Sequence, residues 1–576
     1  MKKRIGFSLV LLLCLIIVLT ASWKLLAKAE SSLIHIKPDG SIDPATVTIE
    51  RTGDLYRLTG NITGRIFVER NNIFIDGNGW RLEGDGSGYG FDLTGRDNIT
   101  ITNCTIRNFW VGIHVYSSAE VFMESNRFEQ NVNGGIDILS SDGSCIIENN
   151  TFTENGGSAI WLVWSTDCNI SGNLVTNNYA GITLVASSAI MRNNNMTGNR
   201  YNFDVDGQQL SHFMNDIDTS NTIENKPIYY WVNKQGMEIP LDAGFVAVIN
   251  STNITVKNLT LANNYEGVLS CFTSNLTIQN VSLLYNNYGI VFFESSNNNI
   301  TSCDTETGYC GILFQDSSNN SITKSRIANN RYGIKLVRSS NNQIYHNNFL
   351  NNIKQADTDA ESTSAWDDGY PSGGNYWSDY TGVDLNNGPY QNVTGSDGIG
   401  DTPHPINADN KDNYPLMEPW SPPEDKTAPT IETPLCIPSG DVPLNQEVTV
   451  TVNVTDTESE VKNVTLSYKL GNATSWTNLL MNYNETSHLY EIIIPGQPNQ
   501  TLVYYKIIAF DNAENMATKD NAGEYYVYSV VPEHFALIAL LLFMIVLSLI
   551  IVYAKRKSVG TKSPSVPDRK YTSERL

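Results

Sequence analysis

His114, Asp137, Trp161, Thr183 and Asp204 are the residues best suited to chemistry, and they are evenly spaced. The steps between them are 23, 24, 22 and 21 residues. Each is third in a similar segment: Gly112-Ile-His-Val, Gly135-Ile-Asp-Ile, Ala159-Ile-Trp-Leu, Gly181-Ile-Thr-Leu and Asn202-Phe-Asp-Val. Two positions further on, Tyr116, Leu139, Val163, Val185 and Asp206 make a second column, with Trp164 beside it. If each segment is one strand of a stack, successive members lie roughly 4.8 Å apart. His114 then reaches Asp137, and the tryptophans follow. Carboxylates beside aromatic platforms suit sugars, because rings stack on apolar sugar faces and acids take hydroxyls. Cleavage needs two carboxylates, roughly 6.5–9.5 Å apart for inversion and nearer 5 Å for retention. Asp137 and Asp204 are three steps apart, about 14 Å, whereas Asp204 and Asp206 share a strand at about 7 Å. Three readings stay open: a glycan-binding face formed by His114, Tyr116, Asp137, Trp161, Trp164, Asp204 and Asp206; a catalytic site using His114, Asp137, Asp204 and Asp206; and a structural spacer.

The elements that must position these residues are plainest further along. Gly289, Gly311 and Gly333 each open a Gly-Ile-x-x segment, and each segment is followed by Ser-Ser-Asn-Asn, at Ser295, Ser317 and Ser339. A fixed step of 22 residues marks a solenoid. Apolar residues alternate within each period, with too few residues between turns for a helix. This predicts a parallel β-helix, whose coils bury a core only when stacked. Asn178, Asn264, Asn286 and Asn330 each stand three positions before a coil glycine, and Asn298, Asn320 and Asn342 form a second column. Asn tolerates left-handed backbone, and its amide can bond from coil to coil.

Net charge is −22, which argues against a nucleic-acid partner. Only 17% of residues are charged, while Asn, Ser, Thr and Gly abound, as suits a β-solenoid. About twenty Asn-x-Ser/Thr sequons are glycan sites if the chain is exported. Lys2, Lys3 and Arg4 precede an apolar run ending at Ala21, and Ala27-Lys-Ala29 fits a cleavage site, so residues 1–29 read as a signal peptide. The β-helix is expected over 31–354. Residues 213–245 break the period as an inserted hairpin or excursion. Beyond it the outward column turns apolar, with Leu269, Val291, Leu313 and Phe293. Such a stripe needs a cover: the excursion, the aromatic segment around Trp377, or a neighbouring cell-surface protein. Cys145 and Cys168 each end a coil one period apart, which allows a disulfide or two stacked thiols.

Residues 355–420 have no period and are rich in Asp and aromatics, as a terminal cap. Asp384, Asp397 and Asp401, on Gly-rich loops, are candidate ligands for calcium. A Pro-rich linker covers 421–429. Residues 430–530 alternate over about seven short strands, a β-sandwich pattern. Phe535 to Tyr553 is apolar throughout and long enough to span a bilayer, and Lys555, Arg556 and Lys557 place the tail 554–576 in the cytoplasm.

On these coils, residues 31–420 resemble the NosD-like right-handed parallel β-helix proteins, also described as carbohydrate-binding/sugar-hydrolysis repeat domains. Gly374-Asn-Tyr-Trp-Ser-Asp-Tyr-Thr-Gly-Val-Asp384, Asp397-Gly-Ile-Gly-Asp-Thr-Pro403 and Asp412-Asn-Tyr-Pro-Leu416 look like the β-helix end of archaeal cell-surface members. Residues 430–530, with Tyr504-Tyr-Lys-Ile and Ala509-Phe-Asp-Asn512, are similar to Ig-like or fibronectin-III-like modules. The NosD resemblance also implies copper delivery. The seven His are scattered and offer no metal spacing for it. The expectation is an all-β chain: a right-handed β-helix of about a dozen 22-residue coils, an Ig-like module and one transmembrane helix. Its ectodomain faces outward and binds polysaccharide or surface glycans.

Overall fold

The computed structural model describes residues 32–422, 425–532 and 534–558. The signal-peptide segment and the tail beyond residue 558 lie outside them. The chain forms two compact units, one ending at Ser421 and one beginning at Pro422.

The first unit is a parallel β-solenoid of about 14 turns with 22-residue coils. Strands of three to six residues alternate in and out of the core, and corners separate them. Ile113, Ile136, Ile160, Ile182 and Phe203 stand in ladder register, and all are buried. Ile290, Ile312 and Ile334 repeat this further on. The coil glycines are needed for close approach: a Cβ on Gly289 would lie 2.4 Å from the Gly311 carbonyl oxygen.

The corners are built from a residue in left-handed backbone, Asn at several and Gly172 at one, followed by an inward Asn. The first residue takes the left-handed backbone, as at Asn149 (φ 55°), Asn177 (57°) and Asn193 (55°). The second turns inward and bonds from coil to coil. Asn150 N–H donates to Asn173 Oδ1 (2.9 Å), and Asn173 N–H donates to Asn194 Oδ1 (3.1 Å). Their amides donate backward, Asn150 Nδ2 to the Met123 carbonyl (2.8 Å) and Asn173 Nδ2 to that of Ile147 (2.8 Å). Ser118, Ser141, Ser165 and Ser187 do the same at another corner.

The break in period is not a free hairpin. Glu224 and Asn225, both at positive φ, turn the chain so that Thr222–Ile223 runs antiparallel to Lys226–Pro227. Lys226–Val232 then pairs in parallel with Phe245–Ile249, and a second stack of coils begins. The strand Tyr201–Asp206 therefore forms a ladder only with Ala180–Val185. On its other side two bonds hold its start: Asn202 N–H to Asn263 O (2.7 Å) and Tyr265 N–H to Phe203 O (3.1 Å). Strands of the second stack are apolar on both faces. Val246, Val248, Val268 and Ile290 face their own core, while Ala247, Ile249, Leu269, Cys271, Val291 and Phe293 join the core of the first stack.

The far end is closed by the aromatic segment. Trp377 stacks on Phe349 (centroids 4.2 Å), and Tyr376–Trp377 adds to the last sheet. The Asn ladder ends there: Asn347 N–H donates to Asn375 Oδ1, and Asn375 N–H donates to Asp412 Oδ2 (2.7 Å). Cys145 and Cys168 sit in ladder register as free, buried thiols, and Cys271 is a further buried coil cysteine.

In the second unit, among the described residues, a two-stranded and two larger sheets, chiefly antiparallel, enclose a separate core that includes Val448, Val450, Leu466, Val503 and Ile507. A helix runs His534–Ser558. Its side chains are described from Leu540 to Tyr553, and the apolar ones are all exposed. Among the described residues no helix is long and apolar enough to cross a membrane.

The ladder carries a testable cost. Asn173→Ala removes the acceptor of Asn150 N–H and the donor to Ile147 O, both buried, at about 1–3 kcal/mol each. Thermal melting should show a loss of several degrees, whereas Asn392→Ala, at an exposed position, should change nothing measurable.

Candidate functional site

The predicted column is in register: His114 pairs with Asp137, Asp137 with Trp161, Trp161 with Thr183 and Thr183 with Asp204. It points away from the first core, but it is not an open outer surface. Asp137 is 5% exposed and Asp204 7%. They line a cleft of about 610 Å³. One wall carries Asp137, Trp161, Asp204 and Asp206. The opposite wall carries Tyr265, Glu266, Leu269, Tyr288 and Val291 from the second stack. The reason lies in the register: after Asp206 no ladder continues the first sheet, so a gap opens beside it that the second stack walls.

The carboxyl groups of Asp204 and Glu266 face each other across this gap and interact. Two ionised carboxylates side by side repel, which favours a protonated form of the pair. Burial, with the Asp206 charge second, pushes Asp204 up to about 8. Burial and the charges of Asp204 and Asp206 hold Glu266 well above the usual carboxylate range. Burial alone pushes Asp137 up to about 7, and it also raises Asp206. Among the described residues no Lys or Arg forms an ion pair with any of these four groups. Asp204 Oδ1 and Glu266 Oε2 are buried and accept no hydrogen bond.

Tyrosines edge the cleft. Tyr179, Tyr201, Tyr265 and Tyr288 follow one another with ring centroids 5.7, 5.6 and 5.9 Å apart. Burial, then the charge of Asp204, raises the Tyr265 phenol, which stays protonated. Sequence reasoning missed Tyr265 and Glu266. The signal was present: Tyr265-Glu266 directly precedes the coil glycine Gly267, and tyrosine recurs one or two positions before Gly181, Gly289, Gly311 and Gly333.

Other predicted residues lie elsewhere. His114 does not line the cleft; its ring stacks under Tyr89 (centroids 4.0 Å), and burial lowers its pKa. Tyr116 and Trp164 are exposed outside the cleft, Trp164 edge-on to His212 (5.6 Å). Of the apolar half-column, Phe293 is covered by the excursion, whose Phe213 packs at 5.6 Å from it and 6.4 Å from Phe272, while Leu269, Val291 and Leu313 line the cleft. Trp377 instead caps the far end. The calcium candidates do not converge. Asp384 accepts from Ser396 and from the N–H groups of Asp397 and Gly398, Asp401 from Leu385 and Asn386, and Asp397 from Ile399. Their oxygens order a loop.

With this geometry established, comparison places the fold. Residues 233–382 match the family model "Periplasmic copper-binding protein (NosD)", and residues 48–201 match "Right handed beta helix region". The chain is a right-handed β-helix protein. No curated protein sequence matches it. Among solved structures, the β-helix protein is 16% identical to the A-module of the Azotobacter vinelandii mannuronan C-5 epimerase AlgE6, over 54% of this chain and 88% of that one (TM-score 0.26). It is 15% identical to the catalytic domain of a GH87 alpha-1,3-glucanase, over 53% of this chain and 56% of that one (TM-score 0.21). Likenesses this distant do not bear on its activity.

The raised carboxyls fix a direction for stability against pH. Asp137 and Asp204 ionise more readily unfolded, near 4, than folded, so their contribution is full below about pH 4 and is lost as pH rises through about 7 and 8. Melting temperature of the β-helix should fall between about pH 4 and pH 8, and Asp204→Asn should flatten that fall. An unchanged slope in the variant would mean that Asp204 is ionised at neutral pH.

Proposed function

We propose that the cleft binds an extended polysaccharide or surface glycan. The observation that carries this reading is the pair of buried, unpartnered oxygens, Asp204 Oδ1 and Glu266 Oε2, beside Trp161 and Tyr265. Unpaired buried acceptors are costly, and sugar hydroxyls would supply their donors. The aromatic rings would stack on apolar sugar faces. A coiled stack presents such groups at a regular rise, which suits a polymer.

The setting in this proposal is the cell surface. In this proposal the apolar run Phe535 to Tyr553, read from the sequence and followed by Lys555, Arg556 and Lys557, anchors the chain in a membrane, with the β-helix outside and the tail inside; the structure describes its side chains only from Leu540 to Tyr553. Removal of residues 534–576 should release the protein from membranes. A truncated protein that stays membrane-bound would refute the anchor.

A second reading, cleavage, is favoured by the raised, interacting carboxyls of Asp204 and Glu266. That pair would donate a proton to a glycosidic oxygen, and Asp206, about 7 Å along the strand, would take one from the attacking water. Binding assays on immobilised glycans separate the readings. Trp161→Ala should weaken binding about tenfold, equivalent to about 1.4 kcal/mol, and Trp164→Ala should not. New reducing ends that disappear in Glu266→Gln would establish cleavage. Equal binding by wild type and Trp161→Ala would refute the cleft as the site, and no glycan binding at all would leave the spacer role.

A further inference from the structure

Asp425, Asp456 and Asp511 come from three separate segments of the second unit. Asp425 precedes the strand Thr430–Ile431, Asp456 follows Val454–Thr455, and Asp511 ends Leu502–Asp511. One carboxylate oxygen from each lies within 4.8 Å of the other two. Like charges this close repel unless a cation or a proton lies between them.

A second observation points to a ligand. Asp425 is 8% exposed, and its Oδ2 is buried and accepts no hydrogen bond. The Ser459 and Glu458 side chains lie beside this carboxyl. Neutral donors meanwhile hold the other oxygens in place. Thr427 N–H and Oγ1 donate to Asp425 Oδ1 (both 2.8 Å). Glu458 and Ser459 N–H donate to Asp456 Oδ1 (3.1 and 2.8 Å). Asn515 donates to both oxygens of Asp511 through N–H (2.7 Å) and Nδ2 (2.9 Å). Asn515 Nδ2 also donates to the Asp425 carbonyl (2.8 Å). The carboxylates are thus held by neutral donors, and Oδ2 of Asp425 is left without one.

We propose that these three aspartates bind one calcium ion. The donor set is all oxygen and anionic, with no His, Cys or Met, which selects a hard divalent cation over copper or zinc. Glu458 at the rim is a further oxygen donor. The ion fastens the segment at residue 425 to two loops at the same end of the module. This proposal is independent of the glycan cleft.

Calcium binding to the chelator-stripped full chain, measured by equilibrium dialysis, is the test, with melting in parallel. Wild type should bind calcium in preference to equimolar magnesium and melt at higher temperature with it. Asp456→Asn and Asp456→Ser change a half-buried ligand, and each should lose one bound equivalent while melting like chelated wild type. Asp384→Asn should keep it. No calcium binding by wild type, or full binding by both Asp456 variants, would overturn the proposal. Loss of binding in Asp384→Asn alone would place the ion in the loop around residue 384 instead and overturn it equally.

Discussion

The β-helix stands or falls on how it satisfies backbone groups at its corners. A coil must turn three times in about 22 residues, and each turn leaves N–H and C=O groups that no strand ladder reaches. The inward Asn and Ser side chains answer this by bonding to the coil above and the coil below. Each corner is therefore completed by its neighbours, and a coil has no stable form alone. The paired Asn explains the composition as well: one residue takes the left-handed backbone and the next takes the hydrogen bonds. The chain ends the series with Asn375 and Asp412, where an aspartate accepts the last N–H and burial pushes it up to about 7.

The candidate site exists where this series is interrupted. Between Asp206 and Asn263 the chain leaves the regular path, turns at Glu224–Asn225 and starts a second stack. The interruption removes a ladder partner from the strand Tyr201–Asp206 and puts an apolar sheet face against the first core. Phe213 and its neighbours close part of the apolar face. What stays open is lined by carboxyls and tyrosines together with Leu269, Val291 and Leu313. Four acids with no Lys or Arg paired to them among the described residues share that space, and burial raises all four toward their protonated forms.

Acid-rich loops can look alike in composition and differ in structure. The Asp384–Asp401 loops spend their oxygens on their own backbone N–H groups, as Asx-type turns do. The Asp425, Asp456 and Asp511 carboxylates are brought together by the fold from three segments, with one oxygen unserved. Counting aspartates could not separate the two cases, because the difference lies in which donors already face each oxygen.

The amino-acid sequence by itself determined the repeat, the inward and outward columns and the two Asn series. These follow from periodicity and from alternation along single strands, which are local properties. His114, Asp137, Trp161 and Asp204 fall into register for the same reason. Only the tertiary structure decided that His114 lies under Tyr89, that Trp164 is outside the cleft, and that Glu266 meets Asp204 some sixty residues earlier in the chain. That meeting depends on how far the excursion carries the chain and where it returns. No period encodes this distance, because it is set by two cores packing against opposite faces of one sheet.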